Sequence, residues 1–168
     1  GTEIALDGHK SDTRNGTFSH DDRLVATISI DGTARLWDGI TGRFISSLGA
    51  ETSGLRLSDA NVDLADQETN AAFSPDDQSL ATVSMDGGVH IWDVKGGSQF
   101  ATIRAHKGLV EHVAFSPTDN LLLTASHDGT ARLWDVARRR SLHVLPVAED
   151  RTPAQIVVDV ERDQPVGG

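Results

Sequence analysis

The sequence contains no cysteine, no excess of positive charge and no long apolar run among its 168 residues. Without cysteine the chain can form no disulfide, no thiolate metal site and no cysteine nucleophile. A formal net charge of −10 repels nucleic-acid phosphates and anionic lipid, so we expect neither nucleic acid nor a membrane as a partner. Apolar runs such as 121–123 and 156–158 are far shorter than a membrane span.

The composition is that of a soluble globular chain, with 38% hydrophobic and 24% charged residues, and the length suits one ordinary domain. The first ten residues contain no basic segment followed by an apolar one, so no signal peptide is predicted there. Because neither a signal peptide nor a disulfide framework is predicted, we expect a cytoplasmic location.

One ten-residue sequence motif recurs three times in the chain, with some variation. Residues 29–38 read SIDGTARLWD, residues 126–135 repeat nine of those ten letters, and residues 84–93 keep the Asp-Gly and Trp-Asp pairs. The tryptophans at 37, 92 and 134 are spaced by 55 and 42 residues, and the phenylalanines at 18, 73 and 115 repeat those intervals. Such self-similarity predicts a chain of repeated structural units.

Each repeat is predicted to contain four strands. The first ends at the phenylalanine, and the second is a short apolar run at 24–29, 80–84 or 121–126. Apolar and polar residues alternate too little in this run for a strand with one solvent-exposed face. The run therefore favours a strand covered by neighbouring sheets on both sides. An Asp-Gly hairpin, a strand with the tryptophan and a fourth strand complete the unit. No segment keeps the helical period of about 3.6 residues, which argues against helical repeats.

The repeat pattern resembles the WD-repeat family of β-propellers. In that family the unit begins near a Gly-His pair, passes through Phe-Ser-Pro-Asp and closes with Trp-Asp. Here these motifs are Gly8-His9, FSPDD at 73–77 and three Trp-Asp pairs. The resemblance implies an all-β fold, a β-propeller with four-stranded antiparallel blades. This chain would hold three complete blades and partial strands at both ends, which makes an incomplete ring.

The resemblance also divides the chain into segments. It implies the last strand of a preceding blade at 1–8, WD repeats at 9–48, 67–104 and 105–145, an acidic insertion loop at 49–66, and the start of a further blade with a polar tail at 146–168. The insertion loop is open to two interpretations, a partner-facing flap or a tolerated surface insertion. Closed propellers have about four to eight blades, so the missing blades would come from a longer chain, a second copy or another subunit.

A structural hydrogen-bond relay is implied for each blade. In the family pattern a turn aspartate accepts from a histidine, the histidine meets a serine hydroxyl, and the hydroxyl meets the indole N–H of a tryptophan. The matching residues are His9, Ser29, Asp31 and Trp37 in the first repeat, Ser84, Asp86 and Trp92 in the second, and His106, Ser126, Asp128 and Trp134 in the third. Asp63 and Leu64 replace the Gly-His pair of the second repeat. We therefore expect that repeat to be the weakest, or Asp86 to find another donor.

Ser, His and Asp together also suggest a catalytic triad. A triad needs an exposed hydroxyl beside an oxyanion hole and occurs once, whereas this set recurs in each unit with its hydroxyl tied to a buried tryptophan. Buried polar groups are costly when unpaired and become a rigid specifying element when all are satisfied. The recurrence therefore favours a structural role for the relay.

Six positions are candidates for contact with a partner, because propeller loops carry recognition on a rigid scaffold. They are Arg14, Ile30, Thr69, Met85, Glu111 and His127. The family resemblance implies these positions without naming a ligand. It implies a protein or peptide partner. We expect no cofactor, and no metal because the histidines lack the spacing typical of zinc sites.

The leading interpretation is a non-catalytic protein–protein interaction scaffold, a docking or sensing module of a larger protein. Two alternatives are a structural subunit that completes a ring and a homodimeric six-bladed propeller. A third is an enzyme that uses the central channel. The channel-lining strands read RNGTFS, TNAAFS and EHVAFS, which share no acid, base or metal set. We therefore expect no enzymatic activity.

Overall fold

The structure, a computed structural model, describes residues 5–10, 12–29, 31, 33–48, 70–83 and 87–146. These residues form three four-stranded antiparallel sheets, and in each sheet the strands pair in chain order. The predicted all-β class and the four strands per repeat are confirmed. The described part of the chain has no helix that could cross a membrane.

Blade 1 contains β1 (Thr13–Phe18), β2 (Leu24–Ser29), β3 (Ala34–Asp38) and β4 (Phe44–Leu48). Blade 2 contains β5 (Ala71–Phe73), β6 (Ser79–Val83), β7 (Gly88–Asp93) and β8 (Gln99–Arg104). Blade 3 contains β9 (Val110–Phe115), β10 (Leu121–Ser126), β11 (Thr130–Asp135) and β12 (Arg140–Pro146). As predicted, the first strand of each blade ends at its phenylalanine and the third carries its tryptophan.

The blades stack face to face around two apolar cores. The first core joins Ala26, Ile28, Leu36 and Leu48 of blade 1 to Phe73, Leu80 and Trp92 of blade 2. The second joins Ala81, Val83, Ile91 and Ile103 of blade 2 to Val110, Leu122 and Trp134 of blade 3. Corresponding positions of the repeat serve both junctions, so the repeated sequence encodes a repeated interface.

The second strand of blade 2 illustrates how both faces of a sheet become buried. Leu80 and Ala81 are neighbours in β6, so their side chains point to opposite faces, and both are fully buried. Leu80 belongs to the core shared with blade 1, and Ala81 belongs to the core shared with blade 3. The prediction that such an apolar run is covered by neighbouring sheets on both sides is confirmed for blade 2, the one described blade that lies between two others.

The three blades do not close into a ring, and corresponding residues show where it is open. Phe73 is 3% exposed because blade 1 packs on it, whereas Phe18, at the same position of blade 1, is 61% exposed. At the other side of the stack Leu145 is 42% exposed, and the corresponding Ile103 is 5% exposed. The predicted incomplete ring is therefore confirmed.

The predicted partial strands differ from the structure at both ends. Residues 5–8 belong to no strand. The first described strand begins at Thr13, so the described part of the chain includes no third strand of a preceding blade with which residues 5–8 could pair. Pro146, predicted to start a further blade, instead ends β12, where it pairs with Thr130. Residues 1–4, the insertion loop at 49–66 and residues 147–168 lie outside the described residues.

Candidate functional site

The turns between second and third strands lie at one end of the stack, which we call the relay end. In blade 3 this turn holds Asp128 and Gly129, and the Gly129 N–H donates to the Ser126 carbonyl at 3.2 Å. Gly129 has a φ of 79°, which glycine adopts without the strain of a side chain. The strands β1, β5 and β9 begin at the relay end and contact one another across the junctions, so they lie nearest the common axis.

Blade 3 contains a continuous chain of four hydrogen-bonded side chains. The Trp134 indole N–H donates to Thr124 Oγ1 at 3.0 Å, and Thr124 Oγ1 lies 2.7 Å from His106 Nε2. His106 Nδ1 lies 3.0 Å from a carboxylate oxygen of Asp128. A neutral histidine that donates from Nδ1 and accepts at Nε2 satisfies every member of this chain. The His106 side chain is completely buried, so the pairing is essential to its burial.

Blade 1 repeats this arrangement. The Trp37 indole N–H donates to Thr27 Oγ1 at 2.8 Å, and that oxygen is 2.8 Å from His9 Nε2. His9 Nδ1 lies 3.2 Å from the Asp31 carboxylate. The structure therefore joins the predicted histidine, aspartate and tryptophan in both blades.

The predicted serine position in the relay is wrong, because the relay hydroxyl belongs to threonine. Trp37 lies opposite Val25 in the β2–β3 register. Thr27 is two residues from Val25, about 7 Å along the strand and within reach of the indole, whereas Ser29 is about 13 Å away. The same register displaces Ser126 from the relay of blade 3.

The serines instead act in the turn that presents the aspartate. Ser29 Oγ accepts from the Asp31 N–H at 3.1 Å, and Ser126 Oγ accepts from the Asp128 N–H at 3.1 Å. Each serine is thus two residues from the aspartate that it helps to position.

Blade 2 retains the tryptophan end of the relay. The Trp92 indole N–H donates to Thr82 Oγ1 at 2.9 Å. Ser84 and Asp86 lie outside the described residues, so the expected weakness of this repeat stays a prediction. A different histidine, His90, is buried beside Trp92, with 6.2 Å between the ring centroids.

The relay fixes the charge states of its members. Burial alone would raise the pKa of Asp128, but hydrogen bonds from the Thr130 hydroxyl, the Lys107 N–H and His106 outweigh burial and lower that pKa to about 2. Burial would also raise the pKa of Asp31, but hydrogen bonds from Thr33, the Lys10 N–H and His9 lower that pKa to about 2. Burial lowers the pKa of His106, and Asp128 opposes this only partly. Near neutral pH the relay of blade 3 therefore combines a carboxylate with a neutral imidazole.

A second chain of hydrogen bonds, the polar ladder, links the three channel-lining strands. Asn15 Nδ2 donates to Asn70 Oδ1 at 3.1 Å, and Asn70 Nδ2 lies 3.1 Å from His112 Nδ1. Asn70 Oδ1 also accepts from the Ala71 N–H at 2.7 Å, which fixes the amide orientation because a backbone N–H can only donate. His112 Nδ1 is therefore the acceptor. Sequence reasoning missed the ladder, although the intervals of 55 and 42 residues separate its members.

Two predicted partner-facing residues lie together at the relay end of blade 3. His127 Nε2 and Glu111 Oε1 form a side-chain hydrogen bond, and their side chains are 55% and 23% exposed. Arg14 is half-buried in β1, at the position that Glu111 occupies in β9. The remaining candidates, Ile30, Thr69 and Met85, lie outside the described residues.

Three regions of the chain match the family described as WD domain, G-beta repeat, at residues 2–38, 66–93 and 97–135, and each match ends at the last residue of a third strand, β3, β7 or β11. These matches cover more than half of the chain. The chain therefore belongs to the WD40 family.

Two solved structures share this fold. The crystal structure of RRP9 WD40 repeats aligns with a TM-score of 0.73 and 21% identity over 86% of this chain and 42% of that one. The structure of U3-55K aligns with a TM-score of 0.72 and 20% identity over the same shares, 86% and 42%. At these identities the likeness shows the fold alone.

Two curated relatives come from Saccharomyces cerevisiae. Mitochondrial division protein 1 is 28% identical over 98 residues, which are 53% of this chain and 14% of the relative. Periodic tryptophan protein 2 is 33% identical over 86 residues, which are 51% of this chain and 8% of the relative. The chain therefore matches only a small part of each relative's length.

Proposed function

We propose that this chain is a non-catalytic interaction scaffold that binds a protein or peptide at the relay end, as a docking or sensing module. The Glu111–His127 pair on a rigid frame, with His127 exposed and Glu111 half-buried, is the observation that carries this proposal. His127 directly precedes Asp128, which the relay holds in place, and its backbone N–H donates to the Leu109 carbonyl at 3.0 Å. A partner would therefore meet polar side chains whose backbone is already ordered, which reduces the entropic cost of binding.

A structural role of the relay supports the non-catalytic part of the proposal. In a catalytic triad the relay hydroxyl, which belongs to Thr124 in blade 3, would be the nucleophile. Thr124 has no solvent exposure. It is also bound to both Trp134 and His106. A substrate could reach this oxygen only if the blade opened.

Affinity capture from a cell extract tests the binding surface. We expect proteins retained by the unaltered chain to be lost when Glu111→Ala and His127→Ala are combined. Thr118→Ala, an exposed change at the other end of the same blade, is the matched control and should retain them. Equal recovery by the double variant and the control would contradict the proposed site, provided that both melt like the unaltered chain.

Completion of a ring is a second candidate function. The exposure of Phe18 and Leu145, at positions that the inner junctions bury, favours further blades on both sides of the stack. Those blades would come from a longer chain, from another subunit, or from a second copy in a six-bladed homodimer. Light scattering tests the homodimer, which requires twice the 18.0 kDa mass of one chain.

The cytoplasmic location and the exclusion of nucleic acid and membranes rest on composition and charge. They remain predictions.

A further inference from the structure

We propose that a cleft between blades 1 and 2, at the end opposite the relay end, binds a basic peptide segment through one bulky apolar side chain. The cleft has a volume of about 670 Å³ and is formed by the β1–β2 turn, the β5–β6 turn and the start of β4. This volume is within the range of sites that hold small ligands or a few peptide residues. The cleft is distinct from the relay-end surface and would add a second binding site.

The cleft has an apolar floor. Leu24 and Ile45 line it from blade 1, and Pro75 and Val94 line it from blade 2. Ile45 is 43% exposed, so part of the apolar lining of the cleft remains uncovered. An apolar peptide side chain that covers this surface would gain the free energy of removing it from water.

The rim of the cleft is acidic. Asp21, Asp76 and Asp77 line it, and Lys95 is the opposing cation in the lining. Hydrogen bonds from the Arg23 N–H and the Ser19 hydroxyl lower the pKa of Asp21. A hydrogen bond from the Ser74 hydroxyl lowers the pKa of Asp76 in the same way. Asp21 and Asp76 are therefore negative at physiological pH and complement lysine or arginine, and Asp21 already lies 3.8 Å from Arg23 Nε.

The two turns are locked to each other, which gives the cleft a fixed shape. Asp77 accepts from the backbone N–H groups of His20 at 2.8 Å and Asp21 at 3.1 Å, and it also meets His20 Nδ1 at 2.8 Å. Asp77 belongs to blade 2 and His20 to blade 1, so these bonds cross the junction. A preformed cleft spares a peptide the cost of ordering the receptor.

The junction between blades 2 and 3 lacks the same features. Pro75 occupies the place of His20 there and has no N–H to donate to Asp119, which corresponds to Asp77. Thr118 replaces Asp76, so one rim charge is missing. Phe100 in β8 corresponds to Ile45 and is likewise 43% exposed. The second junction therefore provides an internal control.

Fluorescence anisotropy with a labelled peptide of alternating lysine and leucine tests the proposal on the whole chain. We expect saturable binding that weakens as salt is raised, and no saturable binding of the peptide in which glutamate replaces lysine. Ile45→Ser should weaken binding about tenfold, whereas Phe100→Ser should leave it within about twofold. Lys95→Glu should tighten binding about threefold by removing the opposing charge.

General attraction of lysine to an acidic chain would affect the two junctions equally. Equal affinities for Ile45→Ser and Phe100→Ser would therefore overturn the proposal, as would saturable binding of the glutamate peptide. Because both substituted side chains are partly exposed, both variants should keep the melting temperature of the unaltered chain, which shows that loss of binding does not come from unfolding.

Discussion

The indole N–H of Trp37 donates to the hydroxyl of Thr27 at 2.8 Å, and the two residues are ten positions apart on neighbouring strands. The same bond joins Trp92 to Thr82 and Trp134 to Thr124. Each blade thus ties its third strand to its second through a buried side-chain pair. The repeated motif of the sequence is explained by this repeated bond and by the histidine and aspartate that extend it in blades 1 and 3.

Asp128→Ala should lower the free energy of unfolding by about 1–3 kcal/mol, because it leaves the buried Nδ1–H of His106 without an acceptor and removes the bond from the exposed Lys107 N–H. Urea denaturation measures the change. The control is Asp119→Ala at an exposed turn of the same blade, which should change stability little. An unchanged midpoint for Asp128→Ala would contradict the relay.

Stability should fall as the pH is lowered from about 7 through the ordinary pKa of histidine, 6.5. The folded chain holds the pKa of His106 below that value, so the unfolded chain takes up a proton first. Thermal melting at a series of pH values checks this, with His106→Gln as the comparison. If His106→Gln lost as much stability as the unaltered chain over this pH range, His106 would not be responsible for the loss.

A further loss should occur at lower pH. The pKa values of Asp31 and Asp128 are about 2 in the folded chain, so their stabilisation is present above about pH 4 and disappears as the pH falls towards 2. Melting curves of Asp128→Asn should show a smaller loss across that interval. If the melting temperatures of Asp128→Asn and of the unaltered chain fell in parallel with pH, the pKa of Asp128 would not be lowered in the folded chain.

Asn70→Ala should destabilise the stack more than Asn15→Ala. Within the ladder Asn70 bonds to both Asn15 and His112, whereas Asn15 bonds to Asn70 alone. At about 1 kcal/mol for each link, we expect losses of about 2 and about 1 kcal/mol in urea denaturation. Equal losses for the two variants would mean that the ladder does not couple the blades.

Much of the fold could be predicted because local sequence patterns, the apolar runs and the turn residues between them, define the strands of each repeat. Apolar runs at 24–29 and 121–126 became strands with those bounds, because a short apolar run between turn signals favours a buried strand. The strand predicted at 1–8 was wrong for residues 5–8, because a strand depends on a neighbour that local sequence does not specify.

The site was harder to predict because its contacts depend on register and on the spacing between blades. Thr27 and Ser29 have the same strand parity and similar chemistry, and only the position of Trp37 opposite Val25 selects the threonine. The polar ladder and the acidic cleft join residues of different blades. Their composition was visible in the sequence, but their proximity follows from how the blades stack.

Paired substitutions in blade 3 test the central claim that the relay hydroxyl belongs to threonine and stabilises the blade. Thr124→Val keeps the side-chain shape but leaves the Trp134 N–H without its acceptor and His106 Nε2 without its donor. Urea denaturation should show a loss of about 2–4 kcal/mol for Thr124→Val and less than about 1.5 kcal/mol for Ser126→Ala. A larger loss for Ser126→Ala than for Thr124→Val would contradict this assignment.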